Sequence, residues 1–191
     1  MTIREDQKEK RRLEILFAAL TLFIQKGYTG TKIKDIAGAV GMSVGLLFHY
    51  FASKEELYEE LIRLGIEGPL SALDTKGMEP LAFFEATAQM ILTMVQQEPF
   101  FAKMFVLMTQ SFSSEDVPPK VKEMLKNFDI YTPTAAIMRA GQIGGTIREG
   151  DPLALATAYW CAIQGVAENQ SLLPGLPCPK SEWLVDIIRK H

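Results

Sequence analysis

Cysteine and histidine are nearly missing from this sequence, with two of each in 191 residues. Cys161 falls in an apolar helical stretch and Cys178 between prolines, without CxxC spacing, so both read as reduced thiols rather than as a disulfide framework. His49 and His191 are too few for a histidine-based metal site, and no cofactor is expected. No stretch approaches the roughly 20 apolar residues of a membrane span. Internal repeats, low-complexity tracts and strong two-residue alternation are also lacking, which leaves little from which to build strands. Residues 8–12 are basic and 15–24 apolar, the outline of a secretory signal. Glu14 at the junction, helical rather than uniform apolarity, and Gln25-Lys26-Gly27 in place of a small-x-small cleavage site all oppose that reading. The expectation is a cytoplasmic protein with no membrane partner.

What is present suits a packed fold. Hydrophobic residues make up 48% of the chain against 23% charged, which excludes disorder, and the length allows one large domain or a small one beside a medium one. The net charge of −3 is unevenly spread. Residues 1–54 hold nine cations (Arg4, Lys8, Lys10, Arg11, Arg12, Lys26, Lys32, Lys34, Lys54) against five acids, or +4, leaving −7 for the rest. A basic head on an acidic body suits a protein that touches phosphate at one end.

The recurring pattern is helical. Leu13, Leu16, Phe17, Leu20, Phe23 and Ile24 form one apolar stripe of a first helix that stops near Gly27. A short second helix carries Ile33, Ile36, Ala37 and Val40. A turn follows at Gly41-Met42-Ser43, then a third helix, capped by Ser43 and running to about Phe51. Ser53 and Glu56 form a capping box that opens a long fourth helix, expected to kink or break at Gly65 or Gly68-Pro69. Further starts are marked by Pro80, Pro99, Pro118-Pro119, Pro152 after Asp151, and Ser181. The spacing predicts an all-α fold of about nine helices, with loops at Gly144-Gly145 and 173–179.

Residues 33–51 meet the demands of a helix-turn-helix. Ala37 is small where two helices cross closely, Gly41 permits the positive φ of a sharp turn, and Ile36, Val40, Met42, Leu47 and Tyr50 supply a small core. Lys32 and Lys34 in the first turn of a helix oppose its dipole unless an anion docks there, and Lys54 at the start of the fourth helix does the same. The run 31–37, then Gly41-Met42-Ser43-Val44-Gly45, then His49-Tyr50-Phe51-x-Ser53-Lys54-Glu55-Glu56-Leu57, resembles the TetR family of transcriptional regulators over roughly 11–58. The resemblance implies a three-helix DNA-binding head at 1–53, joined to a larger helical effector-binding and dimerisation domain at 54–191. It implies that 43–50 enter the major groove, with Ser43, Val44 and Gly45 facing bases and Thr31, Lys32, His49, Tyr50 and Lys54 meeting phosphate; Lys34 joins them on the dipole argument. Leu46 stands where the family commonly has Thr or Ala, and Phe48 where it has Tyr, so base readout is expected to lean on apolar contact and DNA shape.

The second part crowds Met and Phe at helical spacing, which suggests a plastic apolar cavity for a small hydrophobic effector. The residues assigned to it are Phe84, Met94, Phe101, Met104, Phe105, Met108, Phe128, Met138, Trp160 and Gln164. The helix from Pro152 to about Leu172 has almost no polar face and must be covered all round. The resemblance implies that it pairs with the last helix in a twofold four-helix interface formed by Ala158, Tyr159, Ala162, Trp183, Leu184, Ile187 and Ile188. The expected function is a ligand-responsive regulator, with repression implied by the family. It would bind a palindromic operator in double-stranded DNA as a homodimer and be released by its effector. The alternative is a helical protein-interaction module with a vestigial head. The cavity region offers no nucleophile–base constellation, phosphate loop or metal cluster, so no enzyme is expected.

Overall fold

A computed structural model describes residues 3–74, 77–173 and 175–191, with side chains from residue 5 onward. The Arg4 side chain in the charge count and Pro174 in the expected loop lie outside what is described. Ten helical segments follow in order among the described residues: α1 (Ile3–Gly30), α2 (Ile33–Ala39), α3 (Val44–Leu47), α4 (Lys54–Ser71), α5 (Pro80–Gln97), α6 (Pro99–Ser113), α7 (Pro119–Lys126), α8 (Tyr131–Ile143), α9 (Pro152–Leu172) and α10 (Ser181–Val185). Among the described residues the β structure amounts to one isolated bridge, Ile147 to Arg189. No helix among the described residues is long and apolar enough to cross a membrane.

The segments form two compact units. One combines Met1–Gly65 with Val106–Asn127; the other combines Ile66–Phe105 with Phe128–His191. The chain therefore passes between units at three places, within α4, within α6 and after α7, so α4 is not the sole covalent link.

In the first unit α1 buries Ile15, Leu16, Ala19, Leu20 and Phe23, with Ile36, Ala37, Leu47, Phe51, Leu57, Leu61 and Ile62 completing the core. The buried stripe is rotated by about one position from the one the spacing predicts: Leu13 and Phe17 are exposed and Ile15 takes the inner place. The helical pattern of α1 breaks where expected, at Gly27, whose φ of 69° and ψ of 172° turn the chain before a last short stretch to Gly30. α4 behaves otherwise. It runs unbroken through Gly65 and Gly68-Pro69 to Ser71, because a proline this near the C-terminus removes one hydrogen bond in a turn that ends soon afterwards.

The second unit packs α5, α8, α9 and α10 around Phe83, Phe84, Leu92, Met138, Tyr159, Trp160 and Ile163. Its buried polar groups are paired: Tyr159 donates to the Phe84 carbonyl at 2.8 Å, and Trp160 Nε1 donates to Thr134 Oγ1 at 2.9 Å, which donates in turn to the Ile130 carbonyl. Four of the proline-marked starts hold, with Glu79 and Asp151 accepting from backbone N–H groups as caps. α8 begins without a proline at its first position. Its start is tied by Asp129, whose carboxylate accepts from the N–H groups of Tyr131 and Thr132. The last helix is shorter than its apolar pattern suggests. It ends at Val185 and the chain turns to lay Arg148 and Lys190 in backbone hydrogen bonds to Ile188 and Thr146.

Candidate nucleic-acid interface

The head is built around the break at Gly27. Tyr28, just after it, stacks near Phe23 and meets Tyr58 of α4 edge-on at 5.0 Å, while its hydroxyl donates to Glu55 Oε1 at 2.5 Å. Burial, then the bond to Glu55, pushes the Tyr28 hydroxyl well above its ordinary pKa; the same bond holds the Glu55 carboxyl below the usual range. The Thr31 side chain is buried, with its hydroxyl directed at the carbonyls of Gly27 (2.8 Å) and Leu22 (3.1 Å). Lys54 folds back over the Tyr28 ring, 4.1 Å from its centre, and donates to the carbonyls of Tyr28 and Thr31 at 2.9 and 3.1 Å. Chain ends of α1 that would otherwise be unsatisfied are thereby paired.

The helix-turn-helix follows. α2 ends where Gly41, at φ 64°, lets Met42 N–H reach the Ala37 carbonyl and Gly41 N–H that of Gly38. Arg11 donates to the Val40 carbonyl at 2.7 Å, a cation placed at a helix C-terminus. Ser43 caps α3, its Oγ accepting from Leu46 N–H at 3.1 Å. Beyond Leu47 the helix tightens into turns, with His49 N–H bonded to Leu46 and Tyr50 N–H to Leu47, so α3 is shorter than the expected run to Phe51. Phe51 is buried beneath the Arg12 guanidinium, 4.7 Å from its ring, and Arg12 also binds Glu60 of α4 at 2.7 Å. The capping box at Ser53 and Glu56 forms, with Glu56 accepting from the N–H of Ala52.

This arrangement sorts the residues assigned to DNA. Lys32, Lys34, Ser43, Gly45, Leu46, Phe48 and His49 are exposed or partly exposed, Val44 and Tyr50 half-buried. Thr31 and Lys54 are corrected: their polar atoms point inward and hold the turn before α2 to α4. The dipole argument fails for Lys54 because backbone carbonyls, not an outside anion, receive its ammonium. Among the described residues Lys32 and Lys34 have no side-chain hydrogen bond, and the same is true of Lys8 and Lys10 on α1. Lys26 is engaged by Asp35 at 3.2 Å, which holds that carboxyl below its usual range. Among the described residues the uncommitted positive charge of the head is therefore these four lysines. An open cleft beside α3 is lined by Glu5, Lys8, Glu9, Arg12, His49 and Tyr50. Sequence reasoning missed the supporting roles of Tyr28, Arg11 and Arg12; Gly27-Tyr28 at the end of the first apolar stripe is the signal that could have found them.

The effector set sits differently. Phe84, Met104, Met138 and Trp160 are buried, Phe101, Phe105, Met108, Phe128 and Gln164 half-buried, and Met94 exposed. All but Met108 belong to the second unit. The cleft beside α3 is lined by none of them, and neither is a second one, bounded by Arg148, Glu149, Arg189, Lys190 and His191. Of the interface set, Ala158 and Trp183 face outward, Trp183 with 61% of its surface exposed, and Ala162 and Ile187 are half-buried. Tyr159, Leu184 and Ile188 are corrected to core, since each is enclosed within its own unit. The outward face of α9 is instead Leu153, Ala154, Thr157, Ala158 and Cys161.

Residues 15–61 match the family model for bacterial regulatory proteins of the tetR family. The repressor KstR2 of Rhodococcus jostii is 37% identical over 82 residues, 41% of this chain and 40% of that protein. The chain spans between 28% and 40% of the length of the first curated relatives it matches. The fold is similar to that of the MbdR regulator from Azoarcus sp. CIB (TM-score 0.75, 20% identity, 93% of this chain and 96% of that one). It is also similar to AibR solved with isovaleryl coenzyme A and operator DNA (TM-score 0.64, 19% identity, 92% and 94%). The family's model thus lies over the turn that Gly41 and Ser43 build, and residues 15–61 of this all-helical chain carry the DNA-binding helix-turn-helix of the tetR regulators.

Proposed function

We propose that the chain is a ligand-responsive repressor that binds a palindromic operator as a homodimer in the cytoplasm and leaves it when a small hydrophobic effector binds. Residues 1–53 serve as the DNA-binding head and 54–191 as the effector and dimer domain. The observation that carries this reading is α3 itself, a capped helix whose outer side is left exposed beside the unpaired Lys32 and Lys34. Such a surface fits a major groove flanked by phosphates. The uncovered apolar side of α9, with Trp183 nearby in sequence on α10, supports a twofold partner, because a helix without a polar face is stable only when covered. The half-buried Phe101, Phe105 and Phe128 of the second unit are the groups able to repack around an apolar guest. Effector and operator then oppose each other reciprocally, each lowering affinity for the other by the same factor.

Selection of duplexes from a random library with the full chain tests the reading. The expected product is an inverted repeat whose half-sites are about one helical turn, roughly 34–36 Å, apart. Recovery of no duplex at low salt would refute it.

A further inference from the structure

Residues 43–48 read Ser-Val-Gly-Leu-Leu-Phe. Guanine is read in the major groove by a forked cation and adenine by a side-chain amide, and this segment carries neither. Its one hydroxyl, on Ser43, caps the helix. What it offers instead is apolar: Leu46 and Phe48 each keep 46% of their surface exposed, while Leu47 between them is wholly buried. Gly45 adds an independent sign. Its φ is not positive, and a Cβ built there meets nothing within 4 Å, so neither the turn nor internal packing calls for glycine. Glycine inside a helix is destabilising relative to alanine, and the open space beside it has no user within the chain. The surroundings are cationic, with Lys32 and Lys34 unpaired at the start of α2, the helix packed on α3.

We infer that α3 recognises thymine, Leu46 and Phe48 packing against C5 methyl groups in the major groove while the bare backbone at Gly45 comes up against the duplex. The inference rests on the DNA-binding reading of the head. The thymine methyl is the apolar group that the major groove presents, and it is the group this surface can distinguish. Lysine contacts to phosphate supply attraction without sequence information.

The test replaces each thymine of a selected duplex singly by uracil, which lacks only the C5 methyl. Affinity is expected to fall about fourfold at one or more positions, the weight of one buried methyl group. Leu46→Ala or Phe48→Ala should become indifferent to uracil at a position where the parent chain responds. Neither side chain belongs to the buried core of the head. Gly45→Ala should raise the thermal midpoint and weaken duplex binding together. A duplex bound with steep salt dependence that tolerates uracil at every position overturns the inference and leaves the DNA-binding reading standing. No bound duplex at all overturns both.

Discussion

Tyr28 shows how much a single side chain does in this head. It follows the Gly27 break, packs on Tyr58, sits under the Lys54 ammonium and hydrogen-bonds Glu55. Its bond to Glu55 needs Tyr28 protonated and Glu55 ionised. Because the folded pKa of Glu55 is depressed, this stabilisation is present above the unfolded carboxyl value, about 4.3, and is lost as pH falls through the folded value. Tyr28→Phe is expected to lower stability by about 1 kcal/mol near neutral pH, discounted for the exposure of Glu55. Denaturant unfolding should show the difference from the parent fading in acid; a difference constant down to about pH 3, below the carboxyl range, would argue against the bond. Gly141 makes a sharper case in the second unit. A Cβ there would lie 2.5 Å from Ile147 Cδ1 and 3.1 Å from Pro80 Cβ, and Ile147 is itself buried. Gly141→Ala should cost about 1–3 kcal/mol of overpacking, measured as a lower midpoint of thermal unfolding. The sequence marks Tyr28 only as the residue after Gly27 and marks Gly141 not at all, since what each does depends on the side chains that the fold brings against it. Lys54 is legible as a charge, but its partners, two carbonyls of the preceding turn, are not.

Among the elements, α2 and α3 are the easiest to read because their ends are chemically marked. Gly41 takes the positive φ and Ser43 the cap that their residue types suggest. α8 lacks a proline at its first position, and its marker, Asp129, precedes the helix by two residues as a turn carboxylate. Boundaries are harder: α10 stops at Val185 although Ile187 and Ile188 continue its apolar spacing, because the chain there pairs with Thr146 and Arg148 instead. α9 gives the element-scale prediction. Its all-round apolarity signals burial, but not which side the protomer itself covers. Tyr159 faces its own core, while Ala158 and Cys161 face out. Ala158→Glu, or Trp183→Asp on α10, places a charge on the proposed twofold contact and should shift the chain to monomer in sedimentation at micromolar concentration, with helix content unchanged. Tyr159→Phe should leave assembly unaltered, as it removes only an internal bond to the Phe84 carbonyl.

For the whole molecule, the charge split remains the broadest statement the sequence makes, and the structure narrows it. Of the eight cations in the first 54 residues whose side chains are described, Arg11, Arg12, Lys26 and Lys54 are engaged by the fold, which leaves Lys8, Lys10, Lys32 and Lys34 with side chains available for phosphate. The all-helical class and the head are readable because helix-turn-helix geometry is tightly specified by a few residues. The effector region is not, because Phe and Met at helical spacing serve a core and a cavity alike, and Phe84 and Met138 prove fully enclosed. The central claim is that this head binds duplex DNA through those lysines. The direct measurement is the affinity of the full chain for a selected duplex across a salt series, for the parent and for Lys32→Ala/Lys34→Ala. The parent's log K should fall steeply with log salt, and the variant's slope should be shallower by about 1 for each phosphate it no longer neutralises. Equal slopes for the two proteins, or no salt dependence in the parent, would contradict the account.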